Sequence, residues 1–446
     1  MGFSAAQLRA ALEAHLPPNA AGLVVALSGG ADSACLLAAS AQLAPAFRAL
    51  PLRAVHVDHG LQAAAAGFQR DSGALAARFG VPLSIHRVQV DCRAGESVEA
   101  AARDARYAAL GADLRPDECL LTAHHCEDQA ETLLLQALRG AGLKGLSCMP
   151  VCRPLGAGWH MRPLLGVTRR ELRDFGAALG LAQRTDPMNL DLRFDRNYLR
   201  HRIWPPLQER WPGLSVALAR TAHHVAEGSE LLEQIAAEDF AAVRDGDALS
   251  APRLRRLPQP RQVNLMRHFI TVGEAAALSS ARLREALRQL MDAAADQQPT
   301  ILWDGHALRR YRERILLTAA ERPRMQREYA WNIAADAVLD LGAGLGRLRR
   351  VEHSGGWAAR KLPAELRIVK RRGGETLKPA AHAATRSVQH LCQSLGVLPW
   401  MRDALPFIYA GEALIGVADH WRDARWCAAR DEPGLACIWE DAPIHL

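Results

Sequence analysis

Residues 23–35 read LVVALSGGADSAC, and the interpretation of the whole chain turns on them. Leu23–Leu27 is an apolar run of strand length, and Ala34–Leu43 reads as a helix. Between them lies the Gly-rich stretch Ser28, Gly29, Gly30, Ala31, Asp32, Ser33. Gly29 and Gly30 let backbone N–H groups approach an anion closely. The helix start adds partial positive charge, and the hydroxyls of Ser28 and Ser33 can donate to the same anion. Asp32 is out of place beside a phosphate unless Mg²⁺ lies between them, so the acid points to a metal-bound nucleotide. No Gly-Lys-Ser/Thr follows, which excludes a Walker A loop. The bland alternative is a Gly-Gly turn with Ser and Asp as helix caps. The flanking strand and helix favour the phosphate loop.

Outward from the loop, strand and helix patterns alternate. Strands are expected at Ala54–Asp58, around Pro82–Val90 and at Cys119–Ala123. Helices are expected around Gln69–Phe79, Glu96–Leu110 and Asp128–Leu138. Such alternation with short links predicts a parallel sheet covered by helices, with ligands at the carboxyl ends of its strands. Beyond Trp211-Pro-Gly213 the chain to about Leu290 reads as helical and Arg-rich, and residues 292–320 hold a hairpin pattern. The expected order is an α/β, Rossmann-like catalytic domain over 1–215 and a mainly helical domain over 216–330. A linker over 331–365 and a small α+β domain over 366–446 complete it. LGAGLG, residues 341–346, is not a dinucleotide loop, because no strand and helix frame it.

Composition sets the class. The 446 residues exceed one compact core. A net charge of +7 suits an anionic partner such as nucleic acid. No apolar run approaches the roughly 20 residues that span a bilayer, so no membrane partner is expected. The N-terminus has Leu8, Leu12 and Leu16 at helical spacing without a signal-peptide core, and a cytoplasmic protein is expected. The 9 cysteines form no C-x-x-C pair, so most should be small buried apolar groups.

The SGGxDS loop resembles that of the PP-loop ATP pyrophosphatases, which hold pyrophosphate there and transfer AMP from ATP to a substrate oxygen. Later segments choose among the members. Val57-Asp58-His59-Gly60-Leu61 resembles the V-x-H-G-L segment of lysidine synthetases. EAAARDARY at 99–107 resembles their E-x-x-A-R-x-x-R-Y helix. Arg103 and Tyr107 share a face there, and Glu99 can pair with Arg103. A surface ion pair and a phosphate contact through Arg103 or Arg106 are equally good readings. Residues 121–150, LTAHHCEDQAETLLLQALRGAGLKGLSCMP, follow the family signature over nearly their whole length. Cys126-Glu127 replaces the commoner Ala-Asp, and Cys148 replaces a usual Gly. Asp128 and Glu131, three apart, share a helix face. Acids at a helix start also suit the dipole, and His-His-x-x-Asp can be read as a metal site. RPLLGVTR at 162–169 and DPMNLDLRFDRNYLRH at 186–201 match two further family strings, with Met188 in place of Ser or Thr. Towards the C-terminus, Arg371–Glu375, Arg386-Ser387 and Pro399–Pro406 resemble the domain that grips the tRNA body, with Gln389 and His390 where Lys is usual.

The resemblance implies ATP with Mg²⁺, free L-lysine, and an isoleucine tRNA with a CAU anticodon. It implies that Asp128 and Glu131 hold the lysine, that one of them takes its proton, and that Arg196 lies nearby. Asp32 would bind Mg²⁺, and Ser28–Ser33 the nucleotide. Dimers are common in the family, so a homodimer belongs to the expectation. Arg253, Arg255, Arg256, Arg261 and Arg267, with Arg309, Arg310, Arg312 and Arg314 on the hairpin, read as solvated surface or as phosphate contacts. Rival readings are a tRNA thiolase, an amidotransferase-type synthetase and a non-catalytic RNA-binding protein. Sulfur-handling cysteine pairs, a glutaminase domain or a degraded loop would mark them.

Overall fold

The computed structural model describes residues 2–48, 50–58, 65–89, 98–181, 191–294, 297–321, 323–342, 344–429 and 432–442, with backbone alone at 46, 65, 66 and 98–100. The chain divides into two compact units, Met1–Gln234 and Ile235–Leu446.

The first unit opens with helix α1 (Ala5–His15), capped by the Ser4 side chain and burying Leu8 and Leu12. Then come β1 (Gly22–Ala26), α2 (Ala31–Leu43), β2 (Leu52–Asp58), α3 (Ala65–Arg78), β3 (Leu83–Arg87), α4 (Val98–Asp113), β4 (Glu118–Leu121) and α5 (Cys126–Leu138). The single turn α6 (Leu143–Leu146), the hairpin β5 (Cys152–Leu155) and β6 (Gly158–Met161), and α7 (Arg169–Ala178) follow. The six-stranded sheet has the order β3-β2-β1-β4-β6-β5, parallel except for β5. Successive β1 side chains bury on opposite faces. Leu23 and Val25 pack with Leu36, Leu37 and Met161, whereas Val24 packs with Val55, Leu110 and Leu120. The expected α/β fold is thus present. The strand order reverses between β1 and β4, which pair in parallel with Val25 opposite Leu121. That switch point opens a crevice at their carboxyl ends. At the opposite end Arg53 ties β2 to β4 and α4, bonding Glu118 at 2.6 Å and Asp113 at 2.5 Å.

A short helix α8 (Asp195–Tyr198), one π turn at Leu199–Ile203 and α9 (Trp204–Arg210) follow, and α10 (Leu214–Val243) carries the chain across the division. Cys148 adopts φ +57, the left-handed region that favours glycine.

The second unit departs from expectation in one place. Residues 216–330 are mainly helical, as expected, and the expected hairpin belongs to a five-stranded sheet of Arg244–Asp245, Ala248–Ser250, Thr300–Trp303, His306–Tyr311 and Arg314–Ala319. Leu308 and Ile315 of this sheet pack against Leu254, Met266, Leu283 and Leu287 of the helices. Residues 331–365, expected as a linker, lie largely inside a core. Trp331, Leu348 and Trp357 are fully buried there with Ile368, Phe407 and Ile415. Strand Arg347–Ala358 pairs with Val338–Asp340 on one side and Gly434–Glu440 on the other. Gly342, Gly344 and Gly346, all at positive φ, lie between Val338–Asp340 and this strand. Gly346 has φ +69, and a Cβ there would fall 2.1 Å from Glu440 O, so glycine is required. Among the described residues no helix is long and apolar enough to cross a membrane.

Candidate active site

The loop leaves β1 and enters α2, as its residues predict. Gly30 is the helix N-cap and lends no side chain, so the first N–H groups of α2 stay available to an anion. The hydroxyls organise the turn. Ser33 Oγ donates to Gly30 O at 2.9 Å and accepts from Ser28 N at 3.2 Å. Ser28 Oγ lies 3.1 Å from Ser33 Oγ. Gly29 has φ +82, and a Cβ would meet Phe68 Cδ1 at 2.8 Å. Gly29→Ala should therefore distort the loop at a cost of about 1–3 kcal/mol. The expected result is an ATP KM raised about tenfold or more in steady-state kinetics, with folded helix content retained by circular dichroism. An unchanged ATP KM would show that this turn does not shape the nucleotide site.

Asp32 stands at the start of α2, with its side chain 38 % exposed and 3.7 Å from His125 Nε2. Among the described residues no three His, Cys, Asp or Glu side chains are set to hold a metal by themselves. A Mg²⁺ shared with phosphates needs only one or two carboxylates, and an exposed acid within a phosphate loop fits that requirement.

The second half of the site follows β4. His125 caps α5, and its backbone N–H donates to Asp128 Oδ2 at 3.0 Å. Asp128 and Glu131 do share a face of α5, and Arg196 meets both. Its Nη2 donates to Asp128 Oδ1 at 2.8 Å and its Nε to Glu131 Oε2 at 2.9 Å. Arg200, which lies in the family string at 186–201 and was given no role there, completes the group. It donates from Nε to Glu131 Oε1 and from Nη2 to Glu131 Oε2, both at 2.8 Å. The missed signal was spacing: arginines at i and i+4 match carboxylates at i and i+3. The π turn, a feature common at functional sites, begins just before Arg200.

Electrostatics here are strongly coupled. Burial alone would raise Asp128, but His125 and Arg196 hold its carboxyl well below the usual range. Burial opposes a charge on His125, yet Glu127 Oε2 at 3.0 Å, with Asp128 and Asp32, lifts the imidazole above its ordinary value. Glu127 also accepts from Arg169 N–H at 2.8 Å, so the acid kept at this position links two motifs. Arg103, Arg106 and Arg153 surround the Tyr107 ring at 5.2, 5.5 and 5.7 Å.

The structure brings Ser28–Ser33, Asp32, Asp128, Glu131 and Arg196 to the same edge of the sheet. His59, Gly60 and Leu61, the Glu99 side chain, and Asp186, Met188 and Asn189 lie outside the described residues. The expected phosphate contacts of the hairpin need correction in part. Arg309 and Arg310 are buried. Arg309 donates to Thr318 Oγ1 at 2.9 Å and Arg310 to Leu290 O at 2.7 Å, so both serve the fold. Arg261 likewise pairs with Asp239 at 2.5 Å.

Three family profiles match. A PP-loop domain covers residues 4–207, a TilS substrate binding domain 249–316 and a TilS substrate C-terminal domain 366–439. The chain is 40 % identical over 425 residues to a tRNA(Ile)-lysidine synthase of Alkalilimnicola ehrlichii, covering 95 % of this chain and 94 % of that protein. It is 40 % identical over 440 residues to that of Pseudomonas aeruginosa, covering 94 % and 96 %. To that of Methylococcus capsulatus it is 36 % identical over 426 residues, covering 93 % and 95 %.

Proposed function

Because the chain belongs to the tRNA(Ile)-lysidine synthases, ATP-dependent ligases that join free lysine to C2 of a tRNA cytidine, we propose a division of labour within its site. Ser28–Ser33 cradle the triphosphate, and Asp128, Glu131, Arg196 and Arg200 receive the lysine. The observation that carries this is the shared sheet edge: a phosphate loop after β1 beside a neutral acid–arginine quartet after β4.

The chemistry has two steps. Cytidine O2 attacks the α-phosphorus of ATP, the α–β bridge breaks and diphosphate leaves. Loop N–H groups stabilise the departing charge, and Asp32 would hold Mg²⁺, which when bound neutralises the same phosphates. The lysine ε-amine then attacks C2, the C2–O2 bond breaks and AMP leaves. That amine has a reference pKa of about 10.4, so it arrives protonated and must lose a proton. All four carboxylate oxygens of Asp128 and Glu131 face cationic donors or the His125 N–H. The quartet thus offers acids to the ammonium and guanidiniums to the carboxylate of a zwitterion. Asp128, held strongly ionised, suits charge binding, and Asp128 and Glu131 are the two candidates to accept the amine proton. Diphosphate release from ATP should require both tRNA and lysine. Release with neither, or with only one, would refute the assignment.

The acceptor proposed is the isoleucine tRNA with a CAU anticodon, since changing decoding from AUG to AUA means changing how that cytidine pairs. A cytoplasmic setting follows from these substrates, and a homodimer is proposed by resemblance alone. For tRNA grip, a cleft of about 260 Å³ in the second unit is lined by Tyr311, Arg312, Gln389, Gln393 and Arg402, among others. Gln389 replaces a lysine usual in the family. Gln389→Lys should add one phosphate contact. The salt slope of tRNA binding should steepen by about 0.9, with tighter binding at low salt. A filter-binding series over ionic strength checks it, and an unchanged slope would remove this face from the tRNA path.

A further inference from the structure

A chain of hydrogen bonds runs behind the quartet. Thr122 follows β4, and its Oγ1 lies 2.8 Å from His124 Nδ1 and 2.9 Å from His160 Nε2. A hydroxyl has one proton and two lone pairs, and this buried one has no other acceptor among the described residues, so it donates to one ring and accepts from the other. The far side of His160 decides which. Its Nδ1 lies 3.3 Å from Arg162 Nη2, and a guanidinium only donates. His160 Nδ1 therefore accepts, and its proton sits on Nε2. That N–H donates to Thr122 Oγ1, the hydroxyl donates to His124 Nδ1, and the His124 proton stands on Nε2. His160 and Arg162 are almost fully buried, and Arg162 is anchored by donating to Pro150 O at 2.8 Å. Burial, followed by Arg162, pushes His160 down to about 2. Burial likewise lowers His124 to about 3, against the pull of Asp128. Both rings are thus neutral at physiological pH. No hydrogen bond reaches His124 Nε2 from the described residues, and Asp128 and Arg196 are among the ring's charged neighbours.

We infer that Arg162, His160 and Thr122 are positioning residues that fix His124 as a neutral imidazole, whose Nε2–H donates a hydrogen bond to cytidine O2. This rests on the site reading above. The chemistry favours that form. An imidazolium would protonate O2 and blunt its attack on phosphorus. The other tautomer would set a lone pair against it. A neutral donor keeps its proton throughout and stabilises charge on O2 as AMP departs.

The test has two arms on the full chain. In the first, ¹⁵N-histidine NMR of the free protein assigns the His124 and His160 tautomers without turnover, so it stands apart from the function itself. Both rings should be Nε2–H. A Nδ1–H or charged His124 overturns the proposal, whatever any variant does. In the second, Thr122→Val removes the hydroxyl at nearly constant shape. It should lower kcat about 10²-fold while the KM for ATP and lysine stays within about twofold. Thr122→Ser should restore kcat, and the Val variant should show His124 in mixed tautomers. Parental kcat in Thr122→Val overturns the proposal. His160→Gln offers a parallel case, because its amide can accept from Arg162 and donate to Thr122. It should keep most activity, whereas His160→Leu should not.

Discussion

Replacing Asp32 by Ala should abolish lysidine formation, lowering it by about 10³-fold or more, while tRNA binding stays within about twofold of the parent. The separation follows from where Asp32 stands. It starts α2, inside the phosphate loop, and its nearest recorded charged partner is His125 at 3.7 Å. Its removal takes away no hydrogen bond that shapes the turn, because Ser28, Gly30 and Ser33 hold the turn among themselves. The side chain is also 38 % exposed, so no buried cavity follows. What is lost is a negative charge where metal-bound triphosphate would sit. Asp32→Asn should behave almost as badly, since it keeps shape and loses charge. Incorporation of labelled lysine into tRNA, beside filter binding of the same tRNA, measures both quantities. If tRNA affinity collapses with activity, the loop lies on the tRNA path and its assignment to ATP fails.

The catalytic unit was legible because its signals are local. A five-residue apolar run, a glycine pair with a serine on each side and a helix fix a strand–loop–helix by short-range physics. The pairing of Asp128 with Glu131 was legible for the same reason. Their engagement by Arg200 was not, because the contact spans 69 residues and only the i, i+4 spacing of Arg196 and Arg200 hints at it. Cys148 shows the reverse case. A cysteine in place of glycine gave no sign of the backbone it adopts, yet the position is left-handed. In the second unit residues 331–365 read as a linker. Strands run through that span, and the residues that bury Trp331 and Trp357 come from far along the chain. The hairpin arginines were misjudged because charge density says nothing about burial. Arg309 and Arg310 spend their donors on neighbouring backbone carbonyls and Thr318.

Glu131→Gln should lower kcat/KM for lysine by about 10- to 10²-fold and leave the KM for ATP nearly unchanged. In the parent, two guanidiniums face two carboxylates and the quartet is neutral. The substitution leaves a net positive charge at the place where an ammonium must bind, and it deletes charge-assisted bonds of 2.8–2.9 Å. The same change strands Arg196 and Arg200 in a partly buried site, where breaking such pairs costs about 3–5 kcal/mol at full burial. At side-chain exposures of 26 % and 21 % the lower part of that range, or less, is expected. A lost lysine response could then be blamed on stability, and a double variant separates the two causes. Glu131→Gln with Arg200→Gln restores neutrality, so the denaturation midpoint should recover much of its loss. Lysine use should not recover, because the carboxylate that meets the ammonium is still missing. Acidity supplies a second handle. Asp128 is held far below the usual carboxylate range, so it stays ionised as pH falls through about 4, and lysine affinity in the parent should not follow its titration there. Should the double variant regain lysine affinity along with its stability, Glu131 would be a structural counter-charge to the arginines and no part of the lysine pocket.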